Sequence, residues 1–187
     1  MSNRRKTEQE VATDLVLFAM QEAGNAWPTI SNSFKDTFKE KFRVENEMMA
    51  PFDLALAAIT QNLQAIRNVF SSDQAQRIEQ WVMKCLDTED YGQYALQEVK
   101  KYDHMFNKAL SDTGKEKSPF AGTNPLDVLS VCLLRQWLGQ GLRDFEVEIN
   151  GKKTGVISPI LISMTSGALV AFILQWKTIK ADYDIVE

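Results

Sequence analysis

The sequence predicts an all-α fold, a helical bundle of six or seven helices with one short β-hairpin before the last, apolar helix. Apolar residues recur every three or four positions along most of the 187 residues, the signature of helices with one buried face. Glycine, proline, serine and aspartate clusters divide these stretches into medium lengths. The period switches to alternation at Phe145, Val147 and Ile149, just before Asn150-Gly151. Helices with one apolar face each bury those faces against one another, which makes a bundle.

Thr7-Glu8-Gln9-Glu10 has the form of a capping box, in which a hydroxyl and a carboxylate satisfy free amide groups reciprocally. With Val11, Leu15 and Phe18 it predicts a first helix over about 8–23, ended by Gly24. Trp27-Pro28 then calls for an extended or turn conformation. Ser31 to Ser33 offer caps for a second helix, on which Phe34, Phe38 and Phe42 fall four apart. Lys35, Asp36, Lys39, Glu40 and Lys41 occupy its other sides. The phenylalanine stripe is a candidate interaction surface for a partner helix or a membrane, weighed against docking on the chain's own core, which the mixed charges favour.

Pro51 suits the first turn of a third helix, with Leu54, Ala58, Leu63, Ile66 and Phe70 facing a core. Ser71 to Gln74 cap a fourth, marked by Ala75, Ile78, Val82 and Cys85. After the acidic turn Asp87 to Asp90, the residues Tyr91, Ala95, Val99, Tyr102, Phe106 and Leu110 mark a fifth. Residues 111–124 have loop chemistry throughout. They allow a single domain over 1–187 to be subdivided into a bundle (1–110), a linker (111–124) and a helix-hairpin-helix unit (125–187). Asn124-Pro125 starts a sixth helix, with Leu126, Leu129, Leu133 and Trp137 down one side and Gly139 and Gly141 at its end. Asn150-Gly151 supplies the two positive φ angles of a type I′ turn, so a hairpin over about 144–157 is expected. A lone hairpin is marginal in water and must lean on something.

Thr154 to Trp176 contains no charged residue. Ser158-Pro159 opens the final helix, expected at 159–180, and its polar positions Ser163, Thr165, Ser166 and Gln175 leave no wet face. Ile160, Leu161, Met164, Leu169, Phe172, Ile173 and Trp176 make it a buried central helix or a membrane span, with an apolar face left open for a partner protein or lipid as a third reading. Pro159 to Trp176 would measure about 27 Å at 1.5 Å per residue, slightly short of a bilayer's hydrocarbon core. Thr165-Ser166-Gly167 suits close approach of neighbouring helices, in water or in lipid.

The composition narrows function mainly by exclusion. A net charge of −4 disfavours nucleic acid, whose phosphates require a surplus of lysine and arginine. Arg4, Arg5 and Lys6 read as a short solvated tail. Cys85 and Cys132 belong to no CxxC pair and suit small core residues in a reducing compartment. The first ten residues are polar, unlike a secretory leader. His104 is the sole histidine, which removes histidine pairs as metal ligands. No spacing singles out a carboxylate pair, and the EF-hand loop, phosphate-binding glycine loop and dinucleotide fingerprint are missing. Trp27, Trp81, Trp137 and Trp176 are core anchors or the lining of a cavity between helices. No catalytic residue, cofactor or metal is expected. The expectation is a non-catalytic, cytoplasmic protein that binds or assembles with another protein or with itself. Two alternatives are a membrane-anchored protein held by 159–176, and a bundle that binds a lipid or small molecule.

Overall fold

A computed structural model describes residues 4–88, 90–112 and 124–187. The chain runs β1 (Arg4–Thr7), α1 (Glu8–Phe38), α2 (Ala50–Val69), α3 (Ser72–Leu86), α4 (Gly92–Asp112), α5 (Pro125–Leu138), β2 (Glu146–Ile149), β3 (Lys152–Ile157), α6 (Pro159–Val170), α7 (Trp176–Asp182) and β4 (Tyr183–Val186). Short 3-10 turns follow α1 and α5. The fold is the expected helical bundle with a hairpin before its last helical segments. Most of the 111–124 segment lies outside the described residues.

The local signals act as their chemistry dictates. Thr7 accepts the Glu10 amide at 3.1 Å while the Glu10 carboxylate accepts the Thr7 amide at 2.7 Å. Asn124 caps α5 through the Leu126 amide at 3.0 Å. Asn150 and Gly151 take φ of 53° and 74° at the tip of the antiparallel β2–β3 hairpin. The hairpin leans on Phe145, whose ring meets Phe38 edge-on at 5.2 Å.

Four expectations are corrected. The first two predicted helices are one: α1 continues through Gly24 and Pro28 to Phe38. Proline forfeits one hydrogen bond and crowds the carbonyl four residues back, here that of Gly24. Contacts on both sides of Pro28 hold the helix regardless. Trp27 packs edge-on against Trp137 at 4.9 Å, and Phe34 lies 6.2 Å from the same indole. Ser31, expected at a cap, is buried inside the helix with no hydrogen-bond partner for its hydroxyl.

The predicted continuous helix over 159–180 is two shorter ones, α6 and α7, separated at 171–175. The break is held by Asn62, a buried residue of α2. Its amide donates to the Phe172 carbonyl at 2.8 Å, and its carbonyl accepts the Leu174 amide at 3.0 Å and the Trp176 indole N–H at 2.9 Å. One side chain thus supplies the partners that the unwound backbone loses. No helix among the described residues is long and apolar enough to cross a membrane.

Nor is the C-terminal apolar segment the central helix. That place belongs to α2, which packs against every other helix and buries 14 of its 20 residues. The fourth correction concerns the termini. Arg4 to Lys6, expected as a solvated tail, form with Thr7 a strand that pairs in parallel with Tyr183 to Val186. Arg77 of α3 clamps this junction, reaching both oxygens of the buried Glu8 at 2.9 and 3.0 Å and Glu187 at 3.2 Å.

Candidate functional site

The predicted phenylalanine surface does not face outward. Phe34 and Phe42 are buried, their rings stacked 4.7 Å apart. Phe38 is half-buried beneath Phe145. Phe42 follows the 3-10 turn instead of extending the helical stripe. The stripe is an internal seam because the indole of Trp137 and the ring of Phe145 cover it.

The apolar C-terminal residues divide by side. Leu161, Leu169, Phe172 and Trp176 are buried, and Met164 is half-buried. Ile160 is 61% exposed, Val170 50% and Ile173 38%. At about 100° per residue, Ile160, Ser163, Gly167, Val170 and Ala171 fall within roughly a third of the circumference, and all five are exposed. The buried Leu161, Thr165 and Leu169 mark the other side. This outer arc holds no charge in a chain where a quarter of the residues are charged. Within it Ser163, Gly167 and Ala171 stand four apart, a row of small residues that lets another backbone approach closely. Among the described residues a Cβ added at Gly167 would meet nothing within 4 Å, so none of them accounts for the missing side chain. The hairpin leading into α6 adds the exposed Ile149 and Val156.

Sequence reasoning missed a buried polar cluster where α2, α4 and α5 meet. Asp53 and Glu98 are 3% and 9% exposed. The Tyr94 hydroxyl donates to Asp53 Oδ1 at 2.5 Å and accepts from Gln136 Nε2 at 3.0 Å, so one phenol joins three helices. Lys101 pairs with Glu98 at 2.8 Å. Burial, aided by the charge of Glu98, pushes the Asp53 carboxyl up to about 6, against the opposing effects of the Tyr94 hydrogen bond and Lys101. Burial raises Tyr94 and Tyr102 above the ordinary phenol range. The Tyr102 hydroxyl is buried without a hydrogen-bond partner. The sequence signal was a lone aspartate, Asp53, at the start of a long stretch without charge.

A third feature is a half-open cleft of about 260 Å³ beside the paired termini, lined by Val11, Leu15, Phe18, Leu174, Trp176 and Ile179 with Lys6, Asp14 and Tyr183. Of the four tryptophans, Trp27 and Trp137 belong to the core and Trp176 floors this cleft. Trp81 carries Lys84 over its ring at 3.9 Å. His104 is exposed, and the described residues contain no group of three or more metal-ligating side chains. Comparison with protein-family models, with curated proteins and with solved structures finds no match.

Proposed function

We propose that this chain is a non-catalytic assembly module that associates with a second copy of itself through the outer arc of α6. The observation that supports the reading is the exposed, uncharged row around Gly167, where hydrocarbon faces water and no contact among the described residues requires a glycine. Copies of a chain with net charge −4 repel one another weakly, and a face without charge is where they meet at least cost. Small residues let two helices come close enough for backbone and Cβ contacts, while Ile160 and Val170 supply apolar area at the flanks. Both cysteines are free thiols, in keeping with the proposed reducing, cytoplasmic setting.

Sedimentation equilibrium of the full chain from 1 to 100 μM tests this reading, with Gly167→Arg and Val170→Glu beside the wild type. A reversible dimer that both substitutions convert to monomer is the expected result. A wild type that stays monomeric over the whole range would overturn it. The cleft beside the termini favours a second reading, a small apolar ligand. Its test is a titration with octanoate, followed through tryptophan emission in the wild type and in Trp176→Phe. A saturable change that the substitution removes supports the cleft, and an unchanged spectrum dismisses it.

A further inference from the structure

We propose that Asp53 is a proton-operated latch: with its carboxyl protonated it holds the start of α4 and the end of α5 against α2, and on ionisation that hold weakens. The geometry comes first. Asp53 lies in the first turns of α2, Tyr94 in the first turn of α4, and Gln136 near the end of α5. The two hydrogen bonds at the Tyr94 hydroxyl tie these three places together. Asp53 is almost fully buried, so an ionised carboxylate there gives up its water and receives one phenol donor in exchange.

The surrounding groups do not make up the loss. On α4, Glu98 brings a second buried carboxylate, and the Lys101 ammonium lies against Glu98 at 2.8 Å with its side chain 48% exposed. Tyr102, also on α4, carries a buried hydroxyl that reaches neither carboxylate. From α5 the titratable and charged groups are Cys132, whose thiol burial pushes up, and Arg135, whose charge acts on that thiol. A negative Asp53 therefore adds like charge to a dry site with one cation already engaged. Relief comes from admitting water as α4 and α5 part from α2, a release that the Tyr94 hydrogen bond, stronger to a carboxylate than to a carboxylic acid, opposes without cancelling.

The sign follows from linkage. The carboxyl titrates at about 6 in the folded chain against 3.8 ordinarily, so folding tightens its hold on the proton roughly a hundredfold. This stabilising contribution is complete below pH 3.8 and is lost as pH rises through 6. The latch is shut in acid and released above neutrality.

Two measurements on the full chain test the idea. Carbon-detected NMR of the side-chain carboxyls gives the Asp53 titration directly. Amide hydrogen exchange, compared between wild type and Asp53→Asn at each pH so that intrinsic rates cancel, gives the mechanical output. Between pH 5 and 8 the wild type should lose about tenfold protection relative to Asp53→Asn. The loss should be confined to residues 92–102, the first turns of α2 and the end of α5. Two further variants move the Asp53 midpoint in opposite directions. Glu98→Gln removes a neighbouring negative charge and lowers it, and Tyr94→Phe removes a donor to the carboxylate and raises it. These shifts are read from the carboxyl itself, so the test survives if Asp53→Asn folds poorly. An Asp53 midpoint near 4, identical exchange profiles for the two proteins, or protection lost evenly over all helices would overturn the latch.

Discussion

Two stretches of this chain lack charge for more than a dozen residues, and they end up in opposite places. Leu54 to Ile66 forms the axis of the bundle, whereas Pro159 to Val170 lies at its edge with one side bare. By hydrophobicity alone the ranking would be reversed, since α2 carries Thr60, Gln61, Asn62 and Gln64. The deciding property is how many sides of a helix its neighbours can cover. Ala55, Ala57 and Ala58 keep α2 slim, so helices pack close around it. Its polar side chains find partners there, except Gln61 Oε1, which is buried without one. Thr60 bonds the Leu56 carbonyl at 2.9 Å, Asn62 the break after α6, and Gln64 the Asp103 carboxylate at 2.6 Å. In α6 such neighbours meet the side through Leu161, Thr165 and Leu169, together with Ser166, which bonds Ser130 and Asp127 of α5 at 2.9 Å.

The contrast can be broken by substitution, and the largest effect belongs to the axis. Leu56→Ala removes a fully buried side chain and should cost about 3 kcal/mol in urea denaturation. A loss below about 1 kcal/mol would show that α2 is less tightly enclosed than its burial indicates. Asn62→Ala should cost about 2 kcal/mol by stranding the Phe172 carbonyl, the Leu174 amide and the Trp176 indole. Its particular mark is faster amide exchange at 172–176 with the rest of α6 unchanged. Should that segment keep its protection, the broken helix is held by something besides Asn62.

On the bare side the effects shrink and one changes sign. Gly167→Ala replaces a mid-helix glycine where the new methyl meets nothing, so the monomer should gain about 0.5–1 kcal/mol. The same methyl would crowd a partner backbone and weaken self-association. Stability up with dimerisation down is the joint signature, and both moving together would count against the α6 interface. Ile160→Ser, on the same arc, should change monomer stability by no more than about 0.5 kcal/mol.

Much of the fold was legible where a feature is set by residues within a few positions of one another. Thr7 with Glu10, Asn124 with Pro125, and Asn150 with Gly151 each carry their own geometry, and each predicted element begins or turns there. What sequence reasoning lost depends on distant partners. Pro28 stays helical because Trp137, more than a hundred residues away, packs on Trp27. The break at 171–175 is written in Asn62 of α2, which reads locally as one more polar residue in a helix. A parallel strand pair requires a long connection between its members, and here that connection runs over residues 8–182. The outer arc of α6 was half legible. Its lack of charge was plain, but which side would be covered depended on where α2 and α5 lay.

Because β1 pairs with β4, the first and last strands lie at one pole of the molecule. A ribosome delivers Arg4 to Thr7 well before Tyr183 to Val186, so this closure waits until every helix between them has been made. Glu8, buried at the head of α1, receives Arg77 long before Glu187 emerges to share it. The bundle is thereby built first and buckled afterwards, and proteins fused to the two ends of the chain would emerge side by side.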